Sequence, residues 1–194
     1  MVGIKILFSF VVISLLAAGP VMGDLAKPAG PVILTIGGVV SGNNRGPSDT
    51  FDDAFLAAHE YSFTRAAAFD VAMLEGLGMV RTVIKAKPWP HAITLEGPRL
   101  RDVLAAAGWN GSKITTVALD GFAVEIAAAD IAAHDWILAL KADGAYLGIG
   151  GHGPAWLVYE VAGGTATADD ESRWPWALFY IAAEQDNAST ALRL

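Results

Sequence analysis

Apolar residues in this chain come in short runs, many of them stopped by glycine, proline or Asp-Gly. Beyond the N-terminal stretch Ile6–Ala18 the runs extend from three residues, Ile93–Leu95, to ten, Trp174–Ala183. Segments that short are strand-sized, too short for a bundle of long helices. They predict many short strands with a few short helices between them, an α+β class.

Pro31–Ile36 is β-branched, stops at Gly37-Gly38 and reads as a strand. Ser41–Ser48 is loop chemistry. Phe51, Phe55, Leu56, Ala58 and His59 are expected on one face of a short helix. Asp70 is placed to cap a second helix carrying Val71, Leu74 and Leu77, which Gly76 and Gly78 end. Met79–Ala86 reads as a strand stopped by Pro88-Trp89-Pro90, and Ile93–Leu95 as another. Pro98–Ala107 is the strongest helix, with Leu100, Val103, Leu104 and Ala107 on one stripe and Gly108 as its stop. Ile114–Leu119 and Phe122–Ile126 flank Asp120-Gly121, a hairpin signal. A short helix over Ala127–Ala133, strands over Trp136–Leu140, Ala155–Val161 and Trp174–Ala183, a second Asp-Gly turn at Asp143-Gly144 and a polar loop over Gly163–Ser172 complete the reading.

Hydrophobic residues make up 54% and charged residues 17%, enough to build a core from 194 residues. Neither an internal repeat nor an interdomain linker is visible, so the expectation is one domain. Thirteen Lys+Arg stand against 20 Asp+Glu, a net charge of −7, which argues against a nucleic-acid partner. Cysteine is absent, which excludes disulfides, thiol catalysis and any thiolate-held metal.

Residues 1–23 read as a secretory signal. Lys5 is the positive n-region, Ile6–Ala18 the apolar core, and Val21-Met22-Gly23 precedes a cut before Asp24. Thirteen residues are too few to span about 30 Å of hydrocarbon, so no membrane anchor is expected to survive cleavage. Loss of Lys5 takes the charge from −7 to −8. The expected location is periplasmic or secreted. The expected divisions are a leader at 1–23, a tail at 24–29, a domain at 30–186 and a tail at 187–194.

From Pro31 onward the order of pieces resembles the sulfite-oxidase-type molybdopterin-binding domain, most closely its small, single-domain exported members. The resemblance rests on Pro31–Val40, Phe69–Leu74, the helix-bearing Leu95–Gly108, the hairpin Ala118–Ile126, Gly151–Tyr159 and the closing Trp174-x-Trp176-x-Leu178. It implies a mixed/antiparallel β-rich domain with few short helices, and a cofactor pocket bordered by the segments around Lys85 and His152. In the family's enzymes one cysteine, on the segment before the Leu95–Gly108 helix, ligates molybdenum. The matching stretch here, Val83–Trp89, has none, and Lys85 offers no lone pair to replace it. His152-Gly153 runs straight into Pro154, with Trp156 or Leu157 near where the family has an arginine.

Several constellations bear on function. Gly148-x-Gly150-x-x-Gly153 matches a dinucleotide fingerprint in letters only, because Pro154 and the β-rich run after it deny the required helix. Arg81, Lys85 and Lys87 alternate at period two, so they project from one strand face, with Trp89 and His91 following. Such a cluster can receive an anion or simply face solvent. Arg99 and Arg101 begin a helix, where cations need a partner such as Glu96 or a bound anion. His59, His91, His134 and His152 lack metal-site spacing, and no Gly-x-Ser-x-Gly is present. Trp136, Trp156, Trp174 and Trp176 read as strand packing rather than a binding platform.

The functional expectation is a binding module without molybdenum. It would take a small anionic or pterin-like ligand, or an exported or membrane-borne protein partner, through Arg81, Lys85, Lys87, Trp89, His152 and Gly153. The alternative is a molybdopterin-dependent oxidoreductase whose metal has no protein thiolate. A purely structural role is the third reading.

Overall fold

Glycine, proline and Asp-Gly stops end the elements close to where the sequence places them. The computed structural model describes residues 25–185; the expected leader and the C-terminal tail at 187–194 lie outside the described residues. In chain order the elements are β1 (Val32–Gly38), α1 (Ala54–Ala58), β2 (Ala66–Asp70), α2 (Val71–Gly76), β3 (Val80–Ala86) and β4 (Ile93–Gly97). There follow α3 (Leu100–Ala106), β5 (Lys113–Ala118), β6 (Ala123–Ala127), α4 (Ala128–Ala133), β7 (Trp136–Ala139), β8 (Lys141–Ala142) and β9 (Ala145–Tyr146). The chain closes with β10 (Trp156–Tyr159), β11 (Thr165–Ala166), α5 (Ala168–Ser172) and β12 (Leu178–Glu184). The class is α+β, mostly strands with few short helices.

One sheet has the order β2-β1-β12-β5-β6, with β1 and β12 parallel and the other pairs antiparallel. A second has the order β11-β3-β4-β8-β9, where β11 and β3 are parallel. Strands β7 and β10 form an antiparallel pair that leans on the second sheet. There the Leu138 N–H donates to the Pro98 carbonyl (2.9 Å) and the Leu140 N–H to the Glu96 carbonyl (2.8 Å). Gly97 permits this approach, because a Cβ there would overlap the Leu138 carbonyl.

The main core joins Leu34 and Ile36 of β1 to Ile181 of β12, Leu104 of α3 and Leu138 of β7. Tyr180 points the opposite way from Ile181, as strand alternation requires. It belongs to a smaller cluster with Leu56, Phe63, Ala66 and Val117.

Three expectations change, and one strand appears where the sequence predicts none. Phe51 and Phe55 are 88% and 58% exposed, so only Leu56 of the expected face is buried; α1 is a single turn and has no continuous stripe. Strand β2, Ala-Ala-Ala-Phe-Asp, carries too little β-branched signal to be read locally, and pairing with β1 makes it a strand. The segment 163–172 holds β11 and α5 rather than a loop; a capping box, Thr167 with Asp170, starts that helix. Residues 174–177 precede β12 instead of belonging to it, because Ala177 adopts φ 54° and breaks the extended backbone.

Candidate functional site

Three segments far apart in sequence meet around a group of tryptophans. Trp89 comes from the turn after β3, where its N–H bonds to the Ala86 carbonyl. His152 comes from the glycine-rich loop before β10, and Trp156 opens β10 itself. Trp174 and Trp176 lie on the segment running into β12, and Glu171 and Ser172 project from α5. The resulting cleft has a volume of about 320 Å³.

Backbone bonds hold the pieces in place. Within the loop, the Gly151 and Gly153 N–H groups both donate to the Gly148 carbonyl (3.1 Å each). A Cβ at Gly153 would overlap the Leu147 carbonyl, so this position requires glycine. The Ala177 N–H donates to the His152 carbonyl (2.9 Å), the Leu178 N–H to the Ala155 carbonyl (2.9 Å) and the Leu157 N–H to the Pro175 carbonyl (3.0 Å). The loop is thus fastened to the segment that carries Trp174 and Trp176. After Gly153 the chain continues through a cis bond to Pro154 and into β10, with no helix to carry a pyrophosphate.

The rings are close. The His152 imidazole lies parallel to the Trp156 indole, with centroids 4.3 Å apart and planes 9° apart. Trp176 meets His152 edge-on at 5.7 Å. Trp89 touches Trp156 at 5.5 Å and Trp174 at 6.4 Å. The Trp89 Nε1–H donates to Glu171 Oε2 (2.8 Å), tying α5 to the cluster. The Nε1–H groups of the buried Trp156 and Trp174 find no acceptor among the described residues. Partial desolvation holds the His152 pKa below the ordinary imidazole value of 6.5.

Of the six residues expected from sequence, Trp89 and His152 line this cleft and Gly153 is buried in its supporting loop. Arg81 and Lys85 share the exposed face of β3 and are not among the residues lining the cleft. Arg81 stands opposite Glu96 on β4, and Lys85 is in register with Thr165 on β11. Lys87 lines a neighbouring groove with Pro88, Thr165 and Thr167; Ala168 and Glu171 of α5 border both. Arg99 and Arg101 pair with Asp135, at 3.2 and 3.4 Å, rather than with Glu96, and Arg101 also lies 4.0 Å from its neighbour Asp102.

Sequence reasoning missed Trp156, Glu171, Ser172, Trp174 and Trp176 as members of a site. The Thr167-x-x-Asp170 pattern was the available sign that a helix would present Glu171 here. Nothing local shows that Trp156 and Trp174 would keep unpartnered N–H groups.

Donor chemistry decides how a molybdenum centre would fit. The chain has no thiol. Among the described residues no group of three His, Cys, Asp or Glu side chains could hold a metal ion. The cleft offers one imidazole and one carboxylate, and the carboxylate is engaged by Trp89. This set does not fit a metal held through a protein ligand of the family's kind. Among the described residues no helix is long and apolar enough to cross a membrane. Neither a protein-family model nor a curated protein matches the chain.

Proposed function

We propose that this protein is an exported binding module of the sulfite-oxidase-type molybdopterin-binding fold that works without protein-held molybdenum. Its ligand is a small molecule bound in the tryptophan–histidine cleft, a pterin-like ring or a small anion in the terms of the resemblance. The observation that carries the reading is the parallel His152–Trp156 stack on a cleft walled by three further indoles. Indole and imidazole faces suit a compact or flat ligand. An anionic tail would have to reach past α5 to Lys87 in the adjoining groove.

Calorimetric titration of the purified protein with a pterin carboxylate and a panel of small organic solutes tests this. Saturable binding of at least one of them, weakened in His152→Ala and Trp89→Ala, is expected. Absence of saturable binding across the panel overturns the module reading. One molybdenum per chain in protein from a cofactor-competent host overturns its metal-free part.

A further inference from the structure

The charges lining the cleft point to a ligand other than the anion that the resemblance suggests, and this inference rests only on the reading of the cleft as the site of a binding module. Its lining holds one formally charged side chain, the Glu171 carboxylate, and no lysine or arginine. Of α5, Ala168, Glu171 and Ser172 reach this wall, and Glu171 is the charged one among them. Indole faces carry the negative part of the ring quadrupole. Desolvation of His152 favours its neutral form, so the imidazole does not offset the carboxylate.

The same aromatic cluster already holds a cation on another side. The Arg173 guanidinium lies 5.9 Å from the Trp136 ring centroid and 5.7 Å from that of Tyr159. Tyr159 in turn meets Trp174 edge-on at 5.5 Å, and Trp174 lines the cleft. Trp89 and Trp176 extend the cluster toward solvent, Trp176 being 47% exposed. A volume of about 320 Å³ sits at the small end of ligand pockets.

We propose that the cleft binds a small organic cation, a quaternary ammonium or methylated amine, against the indoles of Trp89 and Trp176 and beside the Glu171 carboxylate. Attraction between a cation and indole faces supplies the affinity, and the carboxylate supplies charge selection. A free anion is disfavoured here, since the nearest lysine along the site, Lys87, opens onto the next groove.

The test compares three probes by calorimetry on the whole exported protein: choline, its uncharged tert-butyl analogue and a pterin carboxylate. Choline should bind saturably and the uncharged analogue about tenfold more weakly, a difference between those of an exposed and a desolvated cation–π contact. Trp176→Ala, at an exposed position, should weaken choline binding without unfolding the protein. Glu171→Gln keeps the acceptor for the Trp89 N–H and removes the charge; it should weaken choline and leave the uncharged analogue unchanged. Equal affinity for choline and the uncharged analogue overturns the cation inference and leaves the module reading standing. So does binding of the pterin carboxylate without choline. Binding of no probe or panel solute overturns both.

Discussion

Asp70 does three things with one carboxylate. Its Oδ1 accepts the Met73 N–H (2.8 Å) and caps α2. Its Oδ2 accepts the N–H groups of Ala29 and Gly30 (2.7 Å each), drawing the chain before β1 against the start of α2. The Met73 bond, then those from Gly30 and Ala29, hold its pKa below the ordinary 3.8. A depressed carboxylate pKa stabilises the fold above the unfolded-state value and loses that effect as pH falls through the folded-state value. Asp70→Ala should therefore lower the denaturant midpoint at neutral pH. The gap to wild type should close as the pH drops below 3.8. Denaturation curves for both proteins across that range check it; a gap independent of pH would show that the charge is not what matters. The cap was legible in the sequence, because Asp before an apolar helical pattern is a local signal. The bonds to Ala29 and Gly30 were not, since they cross about forty residues.

At the scale of elements, α3 is the clearest case of pattern becoming packing. Leu100, Val103, Leu104 and Ala107 are all buried, Leu104 being 1% exposed. Leu104→Ala should cost about 2–5 kcal/mol, the range for removing a buried leucine side chain. An unchanged denaturation midpoint would contradict the placement. The period of 3.6 made this face readable, and the alternation of β3 was equally plain. What failed were elements without a period of their own. Strand β2 is alanine-rich, and β11 is two residues long; both exist because another strand offers a ladder. Helix α1 was read as amphipathic, yet Phe51 and Phe55 stay exposed because a five-residue helix turns only one side chain, Leu56, into the core.

For the whole molecule, the leader reading gives a mass. If residues 1–23 are removed on export, the secreted protein should begin at or near Asp24 and carry a net charge of −8. Intact-mass analysis of secreted material decides this; a mass retaining the leader refutes it. Such an acidic protein repels anionic surfaces. Inside that field the cleft carries no lysine or arginine, so the local and global charge act in the same direction on a cation.

By itself the sequence determined the α+β class, the exclusion of thiolate chemistry and the position of most strands. Each follows from composition or from periods shorter than ten residues, which need no distant partner. Tertiary structure alone decided which aromatic residues share a cleft. Trp89 and His152 lie 63 positions apart, and Trp174 and Trp176 arrive from the last segment before β12. A period-two pattern put Arg81 and Lys85 on one face but could not say which way that face looks; packing turned it to solvent, away from the tryptophans. A ring stack such as His152 on Trp156 depends on a loop folded back by two bonds to one carbonyl, and no local propensity records where that loop comes to rest.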